Sequence, residues 1–162
     1  MSQVPGGDVR SLMHAPAITA HRYDTVSDVA KLMIEHNIGS VVVVDDAGKF
    51  CGLVTEQMFM PTEDLIPFMR GTATRLMGAA VGSDHSTGYY DAIERVRSKS
   101  VEEVMKSDPP FVRADATIDV VIELIATTGE NHITVVADGI PIGMIARHDL
   151  LRMFIASEFN PD

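Results

Sequence analysis

One segment of this chain occurs twice. Val9-Arg10-Ser11-Leu12-Met13 returns as Val101-Glu102-Glu103-Val104-Met105, an offset of 92 residues. The offset persists downstream: Val26, Val29, Ala30 and Met33 become Ile118, Val121, Ile122 and Ile125, and Val41–Val44 becomes Ile133–Val136. After one deletion, Gly52-Leu53-Val54-Thr55 becomes Gly143-Met144-Ile145-Ala146. A repeat of this length constrains the fold more than any single motif. Each copy is about 50–60 residues, too small to bury much apolar surface alone, so the copies are expected to pack on one another.

Within the first copy, Asp24 or Thr25 can cap a helix running to about His36, with Val26, Val29, Ala30 and Met33 as its apolar stripe. Gly39 ends the helical pattern. Val41–Val44 is β-branched, Asp45-Asp46-Ala47-Gly48 is a turn, and Phe50–Val54 returns, so the pair reads as a hairpin. Ile18–Ala20 reads as a short strand, and a further helix is expected from Glu56. The second copy repeats the order. A helix opens at Asp115–Thr117, strands follow at Ile133–Val136 and Ile142–Ile145 around an Ala137-Asp138-Gly139 turn, and a helix spans Asp149–Ala156. Each unit is therefore roughly β-α-β-β-α, an α+β arrangement.

The division is a tail over 1–8, a first unit over 9–59, a connector over 60–100, a second unit over 101–156 and a tail over 157–162. The connector has no repeat partner. Glu63–Met77 has amphipathic spacing, Gly78–Gly88 is small and polar, and Asp91–Lys99 reads as helix with Glu94 and Arg97 three residues apart. A segment this long is expected to be helical or functional rather than structureless.

Composition removes several classes of function. The formal charge of −10 opposes general nucleic-acid binding, which needs a basic footprint. No run of about 18 apolar residues predicts a membrane span, and residues 1–8 lack a signal-like apolar stretch. The single cysteine, Cys51, rules out an internal disulfide and fits a reducing, cytoplasmic setting. It lies in an apolar strand, as an inert thiol does. The six histidines show no metal-ligand spacing. No nucleophile and base stand at defined spacing, so an enzyme is not expected. The ten methionines read chiefly as adaptable core filling.

The ordered set Val-x-x-x-Met, helix stripe, Ile38-Gly39-Ser40-Val41-Val42-Val43-Val44-Asp45 and Gly52-Leu53-Val54-Thr55, with its second copy ending Gly143-Met144-Ile145-Ala146-Arg147-His148-Asp149, resembles the cystathionine-beta-synthase (CBS) domain. Two in tandem form a Bateman module. The resemblance covers about three quarters of the chain. It implies a three-stranded sheet and two helices per repeat, pseudo-two-fold symmetry, and clefts that take adenosine compounds such as AMP, ADP, ATP, NAD or S-adenosylmethionine. It also implies a homodimer and a regulated protein partner, with no required cofactor.

In that family the last strand of a repeat leads into Gly-x-x-(Ser/Thr)-x-x-Asp. A carboxylate accepts only, so it can take both hydroxyl protons of a ribose. This chain keeps half the motif in each copy: Thr55 with Met58, and Ala146 with Asp149. Methionine cannot accept a diol, so the Asp149 cleft is the expected nucleoside site. Asp149 can also cap the closing helix. By the resemblance, Asp149 works with Pro16, Ile18, Ile38, Gly39 and Ser40 of the other repeat. Ile18 and Ile38 would sandwich the base, and His148, Asn131, His132 and Arg147 would stand near phosphates. The weaker second cleft would use Thr55, Met58, Pro110, Glu130, Asn131 and His132. The expected function is a stand-alone regulatory module that binds an adenosine ligand and signals by conformational shift. The alternative is a dimerisation or protein-interaction module with vestigial ligand clefts.

Overall fold

The computed structural model describes residues 7–59, 91 and 94–158. The helix expected over Glu63–Met77 and the loop over Gly78–Gly88 lie outside them. Of the helix expected over Asp91–Lys99, residue 91 and residues 94–97 are helical. Arg97 donates to Glu94 at 3.0 Å there.

Two three-stranded sheets form the frame, ordered β1-β2-β3 and β4-β5-β6. In the first, β1 (Thr19–His21) runs parallel to β2 (Ser40–Val44), which pairs antiparallel with β3 (Phe50–Thr55). In the second, β4 (Phe111–Arg113), β5 (His132–Ala137) and β6 (Ile140–Ala146) repeat the pattern. The β-branched runs take the central strands because those are covered on both faces. The tight turn from β5 to β6 places Asp138 and Gly139 at φ 52° and 81°. Aspartate and glycine tolerate this left-handed pair, and its twist suits a hairpin.

Each sheet packs against one long helix. α2 (Val26–His36) starts at Thr25, whose hydroxyl accepts from the Asp28 amide while the Asp28 carboxylate accepts from the Thr25 amide. It ends at Asn37 in the left-handed region, φ 52°. Its buried residues are Val26, Val29 and Met33. The second-copy helix, α4 (Ile118–Thr128), buries Ile118, Val121 and Ile125. Ile122, expected on that stripe, lies on its flank and is exposed.

The two sequence copies exchange their opening turns. Val9, on the one-turn helix α1 (Val9–Leu12), is buried among Val112, Ile133 and Ile145 of the second sheet and Val121 of α4. Val101, on α3 (Val101–Val104), is buried among Val41 and Val54 of the first sheet and Val29 of α2. Backbone bridges fix the exchange: His14 and Met144 bond reciprocally at 2.8 and 3.0 Å, and Lys106 and Leu53 at 2.9 and 3.1 Å. Neither core is complete without residues from both copies. Gly7 and Asp8, placed in the N-terminal tail by the sequence, belong to this exchange: the Gly7 carbonyl accepts from the Ile118 amide, and Asp8 caps α1. After β3 the chain makes a 3-10 turn (Glu56–Phe59) where a helix was expected.

The closing helix α5 spans Arg147–Glu158, wider than the expected Asp149–Ala156. It starts two residues early because Asp149, its third residue, reaches back to the Ala146 amide at 2.8 Å. That is the N3 half of a capping box. Residues 157 and 158, assigned to the C-terminal tail by sequence, continue this helix.

With Val41, Val43, Ile133 and Val135 turned to the helix-backed cores, alternation puts Ser40, Val42, His132 and Thr134 on the opposite faces of β2 and β5. Across the gap, the Ser40 hydroxyl reaches the Met144 sulfur at 2.8 Å. Thr134 is fully buried, and among the described residues its hydroxyl has no partner. The first copy carries Val42 at this position. An unpaired buried hydroxyl costs about 1–3 kcal/mol, so Thr134→Val, close to isosteric, is expected to stabilise the fold by about 1 kcal/mol in urea denaturation. A loss of stability would mean that the hydroxyl has a partner after all.

Candidate functional site

The exchange brings the segment after α1 against the start of α5. A cavity of about 420 Å³ opens there, within the range of small-molecule pockets. Its walls come from both copies. The first contributes Pro16, Ile18, Ile38, Gly39 and Ser40, all expected from the sequence. The second contributes the expected His132, Ala146, His148 and Asp149. Arg147 and Asn131 do not line it: the Arg147 amide donates to the Asn131 carbonyl at 2.8 Å, closing the strand-to-helix junction.

Five lining residues were not anticipated: His14, Ala17, Asn37, Met144 and Arg152. Three had a readable signal. Met144 lies two residues before Ala146, on the same face of β6. Arg152 lies three residues after Asp149, on the same side of α5. His14 follows Met13 as Lys106 follows Met105, so both copies place a basic residue at one offset. Asn37 and Ala17 carried no chemical signal.

Asp149 is the chemical centre of the cavity. It is only 5% exposed. One carboxylate oxygen accepts from Ala146 N, and the other lies 2.7 Å from His14 Nε2. The His14 side chain is 67% exposed and reaches Asp149 from the solvent side. Each carboxylate oxygen has two lone pairs. Asp149 is therefore held at two points and keeps acceptor capacity for a ligand. The cap and the ligand-facing position expected of Asp149 are compatible.

His132 stands beside these groups at the start of β5. Burial pushes its imidazole below the usual histidine range, while Glu56, Asp149 and Glu130 pull it the other way. A histidine with a depressed folded pKa binds fewer protons folded than unfolded. Stability is then lost as pH falls through the unfolded value of about 6.5. His132→Gln is expected to flatten the fall in stability between about pH 7.5 and pH 5.5, measured by urea denaturation. An unchanged slope would place the acid sensitivity elsewhere.

The pseudo-symmetric position is built differently. Lys106, the counterpart of His14, pairs with Glu130, and Met58 holds the sequence position that matches Asp149. Thr55 sits opposite Ser40 in the β2–β3 register, and Met58 lies on the 3-10 turn. Pro110, just before β4, is half-buried. Cys51 is half-buried in β3, and burial raises its thiol pKa, as suits an unreactive thiol.

Two sheets with exchanged turns and a cleft walled by both copies define a tandem repeat module. The CBS domain family model matches residues 9–60 and 101–156, and the chain belongs to that family. A CBS domain structure from a Sphaerobacter thermophilus membrane protein superposes with TM-score 0.70 at 26% identity, over 90% of this chain and 86% of that one. The CBS domain pair of protein MJ0100, solved with 5′-methylthioadenosine and S-adenosyl-L-methionine, gives TM-score 0.68 at 22% identity, over 94% and 99%. CBSX2, solved with AMP, gives 0.65 at 20%, over 94% and 99%. These last two likenesses are of fold. Among curated proteins, the meiotically up-regulated gene 70 protein of Schizosaccharomyces pombe is 28% identical over 85% of this chain. The L-aspartate semialdehyde sulfurtransferase of Methanocaldococcus jannaschii is 38% identical over 29% of it. The chain matches only 9% and 15% of the lengths of the sulfurtransferase and the yeast protein. Among the described residues, no helix is long and apolar enough to cross a membrane.

Proposed function

We propose that the cavity at Asp149 binds one adenosine-containing ligand and that the module is regulatory, passing occupancy to a protein partner. The observation that carries this reading is a buried, hydrogen-bonded carboxylate in the wall of a cavity that both repeats line. Asp149 would accept the ribose hydroxyls. Ile18 and Ile38 would flank the base, and the backbone at Gly39 and Ser40 would meet its edge. Because the walls come from both copies, a ligand that fits one arrangement of the repeats better than another shifts the population toward it. The adenosyl complexes of the MJ0100 pair and of CBSX2 support the ligand class.

A second reading, a homodimerisation module, draws on the apolar Leu151 and Ile155, both exposed on α5. Thermal denaturation with AMP, ADP, ATP, NAD and S-adenosylmethionine separates the two. Ligand at 100 times its dissociation constant is expected to add about 2.7 kcal/mol. No shift with any of the five would reject the sensor reading.

A further inference from the structure

The cavity carries an unspent positive charge in an acidic protein. The chain has 13 Lys and Arg against 23 Asp and Glu. Acidic side chains would be expected to dominate any surface chosen at random. The cavity has the opposite bias. Among the described residues, Arg152, His14, His132 and His148 line it, and Asp149 is the one carboxylate. That carboxylate already has a basic partner, because His14 lies 2.7 Å from it. Arg152 has none: among the described residues no carboxylate lies within ion-pair distance of its guanidinium. A guanidinium stays charged at every physiological pH and matches phosphate geometry with its planar fork.

We infer that the cavity selects an anionic, phosphate-bearing adenosine compound over uncharged or sulfonium adenosyl compounds, with Arg152 as the group that makes the choice. The inference rests on the nucleoside reading above and narrows it. A sulfonium adenosyl compound such as S-adenosylmethionine brings two cations against a single carboxylate, a net positive charge beside Arg152, and an uncharged thioether would leave the guanidinium without a counter-ion. A phosphate supplies one. His14 adds a second contribution. Its ring N–H groups can donate to an incoming phosphate oxygen as well as to Asp149. His132 is held toward its neutral form in the free protein, with Glu56, Asp149 and Glu130 as the carboxylates acting on it. A phosphate dianion beside His132 favours its protonated form. Binding of the anion therefore takes up protons, and its affinity rises as pH falls. Binding of an uncharged nucleoside gains no such attraction.

The test is isothermal titration of the 162-residue chain with AMP, adenosine, 5′-methylthioadenosine and S-adenosylmethionine at pH 6.5 and 8.0. AMP is expected to bind at least about tenfold more tightly than adenosine at pH 6.5, with a smaller margin at pH 8.0. Arg152→Gln is expected to remove most of the margin while leaving adenosine affinity unchanged. Arg152 is exposed, so the variant is expected to keep its melting temperature. Adenosine, methylthioadenosine or S-adenosylmethionine binding within about twofold of AMP at both pH values would overturn the inference and leave the nucleoside reading intact. Arg152→Gln weakening adenosine and AMP equally would overturn it as well. No binding by any of the four would reject the nucleoside reading itself.

Discussion

Asp149→Ala is expected to abolish the thermal shift given by an adenosine ligand while costing the free protein only about 1 kcal/mol. The two effects have separate origins. In the free protein the carboxylate accepts the Ala146 amide and meets His14. Loss of a helix-start acceptor costs about 0.5–2 kcal/mol, and His14 is exposed enough to turn to water. In the complex, the carboxylate would accept two ribose hydroxyls. Hydrogen bonds to a charged group are worth about 1.5–3 kcal/mol each. Losing both weakens binding by about a hundredfold or more. Asp149→Asn keeps an acceptor for the Ala146 amide and nearly the same shape. It is expected to melt close to the parent and to bind as poorly as the alanine variant. A retained ligand shift in both variants would sink the site assignment. The counterpart Met58→Ala is expected to leave the shift unchanged.

Gly143→Ala is expected to be the more damaging change to the fold. A Cβ at this position would stand 2.8 Å from the His14 carbonyl oxygen and 2.7 Å from the Met13 sulfur. The sulfur can move, but the carbonyl cannot without breaking the paired His14–Met144 bonds that hold the exchanged turn. Overpacking costs about 1–3 kcal/mol, and each backbone bond lost adds about 1 kcal/mol. A total near 2–4 kcal/mol is a large part of a typical domain's stability. Ligand affinity should fall too, since His14 would no longer sit on Asp149. Gly52→Ala is the internal control. There a Cβ meets the Met105 side chain first, and the nearest carbonyl, Lys106, is 3.1 Å away. A flexible side chain can give, so roughly half the destabilisation is expected, with ligand binding kept. Equal losses of stability and affinity in both variants, read by urea denaturation and titration, would refute the account of the exchange.

The sequence carried the architecture but not its partnering. The hairpins, the α2 and α4 stripes and the Asp138-Gly139 turn each rest on local chemistry, so each was readable where it stood. The exchange of Val9 and Val101 was not. A one-turn helix is too short for periodicity to say which sheet it covers, and a repeat identifies copies without saying how they pair. Thr134 looked like ordinary β-branched strand filling, because only burial without a partner makes its hydroxyl costly. At the site, Pro16, Ile18, Ile38, Gly39 and Ser40 came from the family pattern, and the cavity brings them together with Asp149. His14 and Arg152 were missed because they sit outside the motif, although repeat offset and helical spacing point to both. The half-motif Ala146/Asp149 gains a physical meaning from the structure. With no hydroxyl at Ala146, the carboxylate alone caps the helix, and it does so from within.

The most direct measurement is the crystal structure of the protein grown with AMP. The account predicts density for one nucleotide per chain, its ribose within hydrogen-bond distance of Asp149, its base between Ile18 and Ile38, and its phosphate toward Arg152. A nucleotide bound instead at the Lys106–Glu130 position, or a cavity that stays empty when titration reports saturation, would contradict it.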